Sequence, residues 1–252
     1  MSAQAEFTEL ARSGGRGALV TNLEDGAKML VRTDGSREGT LGDPVRDEDA
    51  AKLGDELMWA ERAERHGDLF VDVTFPPPRL IVFGAVDFAA ALCKLAKAAG
   101  WRAFVVDPRA RFAQPARFPD AEQVVAAWPE DAFHQLGGID RATAIAVLTH
   151  DPKLDDAALE IALRSPAAYV GAMGSHRAQA KRRERLLAKG ITDEELERLA
   201  APIGLDLGAL TPEETALSIM SEIVALRRGR EGGRLAHVRG RIHEVTGTEA
   251  SA

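Results

Sequence analysis

The sequence holds a single cysteine, Cys93, among 252 residues. One thiol excludes an internal disulfide and a thiolate-rich metal cluster. It falls on the apolar face of a predicted helix, where a buried structural thiol is expected. No run approaches the ~20 apolar residues that a membrane-spanning helix needs. The opening MSAQAEFTEL has no basic stretch followed by an apolar core, so no signal peptide is expected and the reading is a soluble cytoplasmic protein. Positive charge is also short: the formal net charge is -7 and the pI about 5.5, which argues against a general binder of nucleic acid or anionic membranes. Paired catalytic carboxylates, His-rich metal spacing, a nucleophile elbow and a P-loop are all missing, so hydrolase and kinase readings have nothing to rest on. No internal repeat is visible.

What is present is apolar and regularly spaced. With 45% hydrophobic residues the chain can bury one large core or two smaller ones. The first 78 residues read as a small α+β domain. Ala18–Asn22 and Lys28–Arg32 are expected strands around the turn Glu24-Asp25-Gly26, and a turn follows at Thr33-Asp34-Gly35-Ser36. A helix over Glu48–His66 and a strand over Leu69–Phe75 come next. Pro76-Pro77-Pro78 can continue neither a helix nor a central strand and marks a boundary.

Residues 79–229 then alternate short apolar runs with helical stretches. Leu80–Phe83, Ala103–Val106, Thr143–Leu148 and Ala167–Val170 are apolar on both faces, the mark of parallel strands covered by helices on both sides. A short strand around Gln123–Val125 joins them, and helices are expected over Phe88–Ala99, Asp155–Arg164 and from Thr211 to about Arg228. The last begins with a capping box, Thr211 and Glu214. The predicted fold class is therefore α/β: a Rossmann-like, doubly wound parallel sheet behind a small amino-terminal domain. Residues 230–252, rich in Gly, Arg and Glu, are expected to form a partly mobile tail.

In such a sheet ligands bind beyond the carboxyl ends of the strands. There the sequence offers Gly84-Ala85-Val86-Asp87, Asp107-Pro108-Arg109, Thr149-His150-Asp151 and Gly174-Ser175-His176-Arg177. The first departs from the dinucleotide fingerprint, because Val86 stands where the middle glycine would let a phosphate approach. Asp87 reads as the helix N-cap. Asp107, about 20 residues on, stands where a ribose-binding acid belongs. His150 is a candidate acid, base or donor, with a plain loop hydrogen bond as the alternative. Ser175 and Arg177 sit at a turn suited to an oxyanion, whereas Lys181, Arg182, Arg183 and Arg185 read as a solvated helix face. The apolar loop Pro202–Ala209 is expected to lie buried near the site, with Asp206 its functional candidate or a structural acid. Gly84, Asp87, Asp107, His150, Asp151, Gly174, Ser175, Arg177 and Asp206 make up the candidate binding set, with no catalytic residue and no metal ligand among them.

The run FGAVDFA, VVDPRARFA, RFPDAEQVV, VLTHDPKLDDAAL, AYVGAMGSHRAQAKRRERL and PIGLDLGALTPEETALSI resembles the XdhC/CoxI family over roughly Arg79–Arg228. These are accessory proteins of molybdenum-containing hydroxylases such as xanthine dehydrogenase and carbon monoxide dehydrogenase. The resemblance implies a Rossmann-like carboxyl-terminal domain and a non-catalytic carrier. Such a carrier binds molybdenum cofactor, supports its sulfuration with a cysteine desulfurase and delivers it to the apo-hydroxylase. Two segments depart from the family pattern. Its first loop commonly reads GAGH where this chain has Gly84–Asp87, and its GGCVE-type segment corresponds to Gly39–Asp43, which has no cysteine. Direct sulfur handling thus lacks its usual thiol. The rival reading is an NAD(P)-dependent oxidoreductase, supported by Asp107 and the Rossmann pattern and opposed by Val86; a third is an interaction domain without ligand. A homodimer is the expected assembly, with no nucleic-acid or membrane partner.

Overall fold

The computed structural model describes residues 2–237. Its internal contacts divide the chain between Pro76 and Pro77 into two compact units.

The first unit holds α1 (Ala3–Arg12), β1 (Gly17–Asn22), β2 (Lys28–Arg32), β3 (Arg37–Gly39), α2 (Pro44–Ala60), β4 (Glu64–His66) and β5 (Leu69–Thr74). The strands form an antiparallel sheet in the order β3-β2-β1-β5-β4. Alternation sorts its residues, so that Ala18, Val20, Met29 and Val31 pack with α2 while Leu19 and Leu30 pack with α1. The helix expected over Glu48–His66 runs Pro44–Ala60 instead. It stops at Glu61, which takes a left-handed conformation (φ 53°) and is held by Arg16 at 2.9 Å, and the chain then turns into β4. The short helix α1 and the edge strands β3 and β4 carry no signal in the sequence pattern. Each is too brief to show a period of its own and is defined by what it packs against.

The second unit, Pro77–Gly233, holds β6 (Arg79–Phe83), α3 (Asp87–Ala98), β7 (Arg102–Val106), β8 (Gln123–Val125), α4 (Pro129–Gln135) and β9 (Thr143–Val147). It continues with α5 (Pro152–Leu163), β10 (Tyr169–Ala172), α6 (His176–Ala188), α7 (Asp193–Glu197), β11 (Leu199–Ala200) and α8 (Pro212–Arg227). Six parallel strands lie in the order β11-β10-β9-β6-β7-β8. Counted along the chain from β6, that order is 6-5-4-1-2-3, the arrangement of a dinucleotide-binding Rossmann sheet. The chain changes direction between β6 and β9, and the crevice expected to take a ligand opens above that pair.

The apolar runs explain the layering. Leu80 and Val82 of β6 pack towards α3 and α8, while Ile81 and Phe83 pack towards α4 and α5. All four side chains are fully buried, and each such burial stabilises the fold by about 1.5–3 kcal/mol. Cys93 is buried in the first of these layers, and burial pushes its thiol up to about 12. The fourth strand expected at Ala167–Val170 lies two residues later, because Tyr169 pairs with Ala144 and Ala172 with Val147. No helix among the described residues is long and apolar enough to cross a membrane. Of the tail expected to be mobile, residues 238–252 lie outside the described residues.

Candidate functional site

The loop after β6 begins with Gly84 at φ 112°, its N–H donating to the carbonyl of Val106 at 2.8 Å. A Cβ there would lie 2.5 Å from Cγ2 of Thr149, so only glycine lets the β6 and β9 loops close on each other. Ala85 follows, with both of its backbone groups already engaged. Its N–H donates to Oδ2 of Asp107 at 3.0 Å, and its carbonyl accepts from Nη1 of Arg117 at 3.0 Å. The N-cap of α3 is Val86, with no side-chain cap, rather than Asp87. Asp87 is the first helical residue, and its exposed carboxylate pairs with Arg117 at 3.3 Å. This loop therefore lacks the free, glycine-lined backbone that cradles a pyrophosphate.

At the end of β7, Asp107 is fully buried and its carboxylate is saturated. It accepts from the backbone N–H groups of Ala85 and Arg109 and from both Nε and Nη2 of Arg109, the last two at 2.8 Å. Burial pushes this carboxyl up, but the Arg109 fork and the two N–H groups outweigh it and hold it below the usual carboxylate range. An acid so engaged has no oxygen left for a ribose hydroxyl. Arg109 lines the cleft over this edge of the sheet, yet sequence reading named it only as part of a strand-end segment and left it out of the candidate binding set. Its guanidinium stacks on Phe112 at 4.6 Å and its side chain is 42% exposed. The spacing Asp-x-Arg immediately after an apolar strand was the available signal.

After β9, the Thr149 hydroxyl donates to the buried carboxylate of Asp155 and accepts from the N–H of Asp151 at 3.3 Å. Asp151 caps α5 by accepting from the N–H of Lys153 at 3.0 Å. His150 is exposed and has no side-chain hydrogen bond to the described residues. Asp155 is paired in turn with Arg182 of α6 at 2.8 Å, and both side chains are buried. Burial pushes the Asp155 carboxyl up, opposed by Thr149 and Arg182. Arg182 also donates to the carbonyl of Met173 at 3.1 Å and to the side chain of Gln179. Gln179 donates to the carbonyls of Ala172 and Gly174 at 3.3 and 3.2 Å. The solvated face expected of α6 holds for Lys181 and Arg183, which are exposed, and is corrected for the other two cations. Arg182 is a buried tie between the loops after β9 and β10, and Arg185 forks onto buried Asp156 at 2.6 and 2.9 Å. The acids on α5 that draw these arginines inward face α6 only once the helices are packed.

An open cleft of about 500 Å³ lies over the switch point, lined by Val86, Arg109, Leu148, Thr149, His150, Asp151 and Pro152. Three of the four predicted strand-end segments thus meet at one place. Gly174, Ser175 and Arg177 are on the same edge of the sheet but outside that lining; Ser175 caps α6 by accepting from the N–H of Ala178 at 3.3 Å, and Arg177 is exposed. Asp206 also lies outside it, exposed on a loop that was expected to be buried. That loop is pinned by the N–H of Gly204 on Glu222 at 2.8 Å and by Ser218 on the carbonyl of Leu205, yet Leu207 and Leu210 are exposed. A larger groove of about 670 Å³ between α4 and α5 is lined by Trp128, Phe133 and Ile161 with Glu160 and Arg164, two charges already paired with each other at 3.0 Å. The switch-point cleft is smaller but has donors that remain open.

A family profile described as the XdhC Rossmann domain matches residues 80–223, more than half of the chain. The chain belongs to the XdhC family. The matched stretch is the six-stranded unit just described. This XdhC-family chain is similar to a probable xanthine dehydrogenase component of Bacillus subtilis (strain 168), 31% identical over 161 residues, covering 64% of this chain and 46% of the relative. It is also similar to the molybdenum cofactor insertion chaperone PaoD of Escherichia coli (strain K12), 28% identical over 156 residues, covering 62% of this chain and 42% of the relative. The chain therefore spans less than half the length of these curated relatives. A crystal structure of a xanthine dehydrogenase from Bacillus halodurans shares the fold, with a TM-score of 0.60 at 24% identity over 90% of this chain and 64% of that one.

Proposed function

We propose that the chain is a maturation factor for a molybdenum-containing hydroxylase, holding molybdenum cofactor in the switch-point cleft and releasing it to the apo-enzyme. The observation that carries this reading is the cleft itself. It joins an apolar wall of Val86, Leu148 and Pro152 to the unengaged donors of Arg109 and His150, at the place where a Rossmann sheet takes its ligand. An organic cofactor with a flat ring and an anionic group suits that mixture. The two relatives named for xanthine dehydrogenase and for cofactor insertion support the same role. Among the described residues no group of three His, Cys, Asp or Glu side chains is placed to hold a metal ion. Recognition would accordingly rest on the pterin and its phosphate, with the molybdenum carried by the pterin's own sulfurs.

In this reading His150 donates to the ligand from the β9 loop, and Ser175 and Arg177 contact whatever part extends over β10. Sulfur would be supplied by a partner desulfurase, since Cys93 is buried and held protonated. A dinucleotide fits less well, because Val86 replaces the glycine and Asp107 is saturated.

The test isolates the chain from cells that make the cofactor and assays molybdenum and pterin together. Both should be retained, and His150→Ala should reduce both in parallel. Absence of both, with hydroxylase activity unchanged in cells lacking the protein, would sink the reading.

A further inference from the structure

We propose that Arg109 receives the phosphate of a phosphomonoester ligand in the cleft, and that Asp107 is a positioning residue that aims Arg109 without touching the ligand. The identity of the ligand as the pterin phosphate rests on the function proposed above. The phosphate site itself rests on the geometry of Arg109.

A guanidinium is a planar fork with five N–H groups. In Arg109 one edge is fixed, with Nε and Nη2 on the two oxygens of Asp107 at 2.8 Å. One face is fixed as well, against the Phe112 ring at 4.6 Å. The two hydrogens on Nη1 and the second on Nη2 have no hydrogen-bond partner among the described residues, and Arg109 lines the cleft together with Asp151, whose carboxylate acts on its charge from a distance. An arginine clamped along one edge and one face keeps its other edge in a set orientation, so little side-chain freedom is lost when an oxyanion binds. Paired N–H groups on one edge match two oxygens of a phosphate.

Asp107 cannot share that ligand. It is fully buried and meets four donors from the protein. The neighbouring loop selects against a second, bridging phosphate. The N–H of Ala85 is taken by Asp107, Val86 occupies the glycine's place, and Asp87 adds a carboxylate to the first turn of α3. One phosphate and one ring system is therefore the ligand class, in preference to a diphosphate-linked dinucleotide.

The experiment titrates the full chain with the oxidised pterin phosphate obtained from molybdenum cofactor, and with the same pterin after phosphatase treatment, following pterin fluorescence. Phosphorus NMR of inorganic phosphate runs in parallel. Arg109→Gln should bind the phosphorylated pterin about 10- to 150-fold more weakly, the range expected for lost hydrogen bonds to a charged group. Arg109→Lys, which keeps a charge beside Asp107 but not the fork, should recover only part of that affinity. Removing the phosphate should cost the wild type the same factor and the Arg109→Gln protein almost nothing. Asp107→Asn should weaken the phosphorylated pterin and leave the dephosphorylated one unchanged, whereas a merely structural role would weaken both. Broadening of the inorganic phosphate resonance should occur with wild type and vanish with Arg109→Gln. Equal binding of the two pterins by wild type would overturn the inference while leaving the carrier reading intact. Phosphate broadening without any pterin binding would overturn the carrier reading and leave the Arg109 site standing. Absence of phosphate broadening together with absence of pterin binding would overturn both.

Discussion

Two aspartate–arginine pairs, one on each side of the β6–β9 switch, are built from the same atoms at the same 2.8 Å and do different things. In Asp155–Arg182 both side chains are sealed, at 3% and 4% exposure; the hydrogen bonds of the arginine end on protein, and its Nε is buried without a partner among the described residues. In Asp107–Arg109 only the acid is sealed, and the arginine is 42% exposed in the wall of a cleft. Chemistry alone does not assign a role to an ion pair. What decides is whether the cation's remaining N–H groups end in protein or in solvent. The sealed pair is a tie between the loops after β9 and β10, and the open pair leaves N–H groups facing a cleft.

The sharpest way to break this contrast is to remove one partner of each pair. Arg182→Met leaves Asp155 buried without its cation and should cost about 3–5 kcal/mol, read as a lower midpoint in urea unfolding. Adding Asp155→Leu should return a large part of that loss. Recovery would show that the penalty comes from the stranded charge.

The next effect is at the wedge where the two loops meet. Gly84→Ala combines φ 112° with a Cβ 2.5 Å from Cγ2 of Thr149, and should destabilise by about 1–3 kcal/mol. Pairing it with Thr149→Ser, which deletes that methyl, should restore part of the thermal unfolding temperature.

Acid titration separates the pairs further. The Asp107 carboxyl is held below its ordinary value in the fold, so its contribution to stability is present above the unfolded value of about 3.9 and is lost as the pH falls through the folded value. Stability of the wild type should therefore decline below about pH 4 more steeply than that of Asp107→Asn, with calorimetry across that range as the measurement. A smaller loss than that of Arg182→Met is expected from Arg109→Ala, about 1–3 kcal/mol, because buried Asp107 loses the fork but keeps the N–H groups of Ala85 and Arg109. A loss as large as that of Arg182→Met would mean that the open pair is structural after all.

The sequence was enough for the class of the second unit, because both-face apolar runs such as Leu80–Phe83 and Thr143–Leu148 can only be interior strands, and their alternation with helices imposes a parallel sheet. It was also enough for the capping box at Thr211 and the strand-end segments, since these depend on local backbone chemistry. Helix ends were less legible. Glu61 breaks α2 through a contact with Arg16, far away in sequence, and β11 exists only because β10 offers it a partner. The roles of the charged residues were decided entirely by packing. Asp107 and Arg182 look like a ligand acid and a surface cation when read along the chain. Folding seals the first under Arg109 and the second against Asp155, because a carboxylate or guanidinium removed from water must find its partner within hydrogen-bonding distance, and that distance is fixed only in three dimensions.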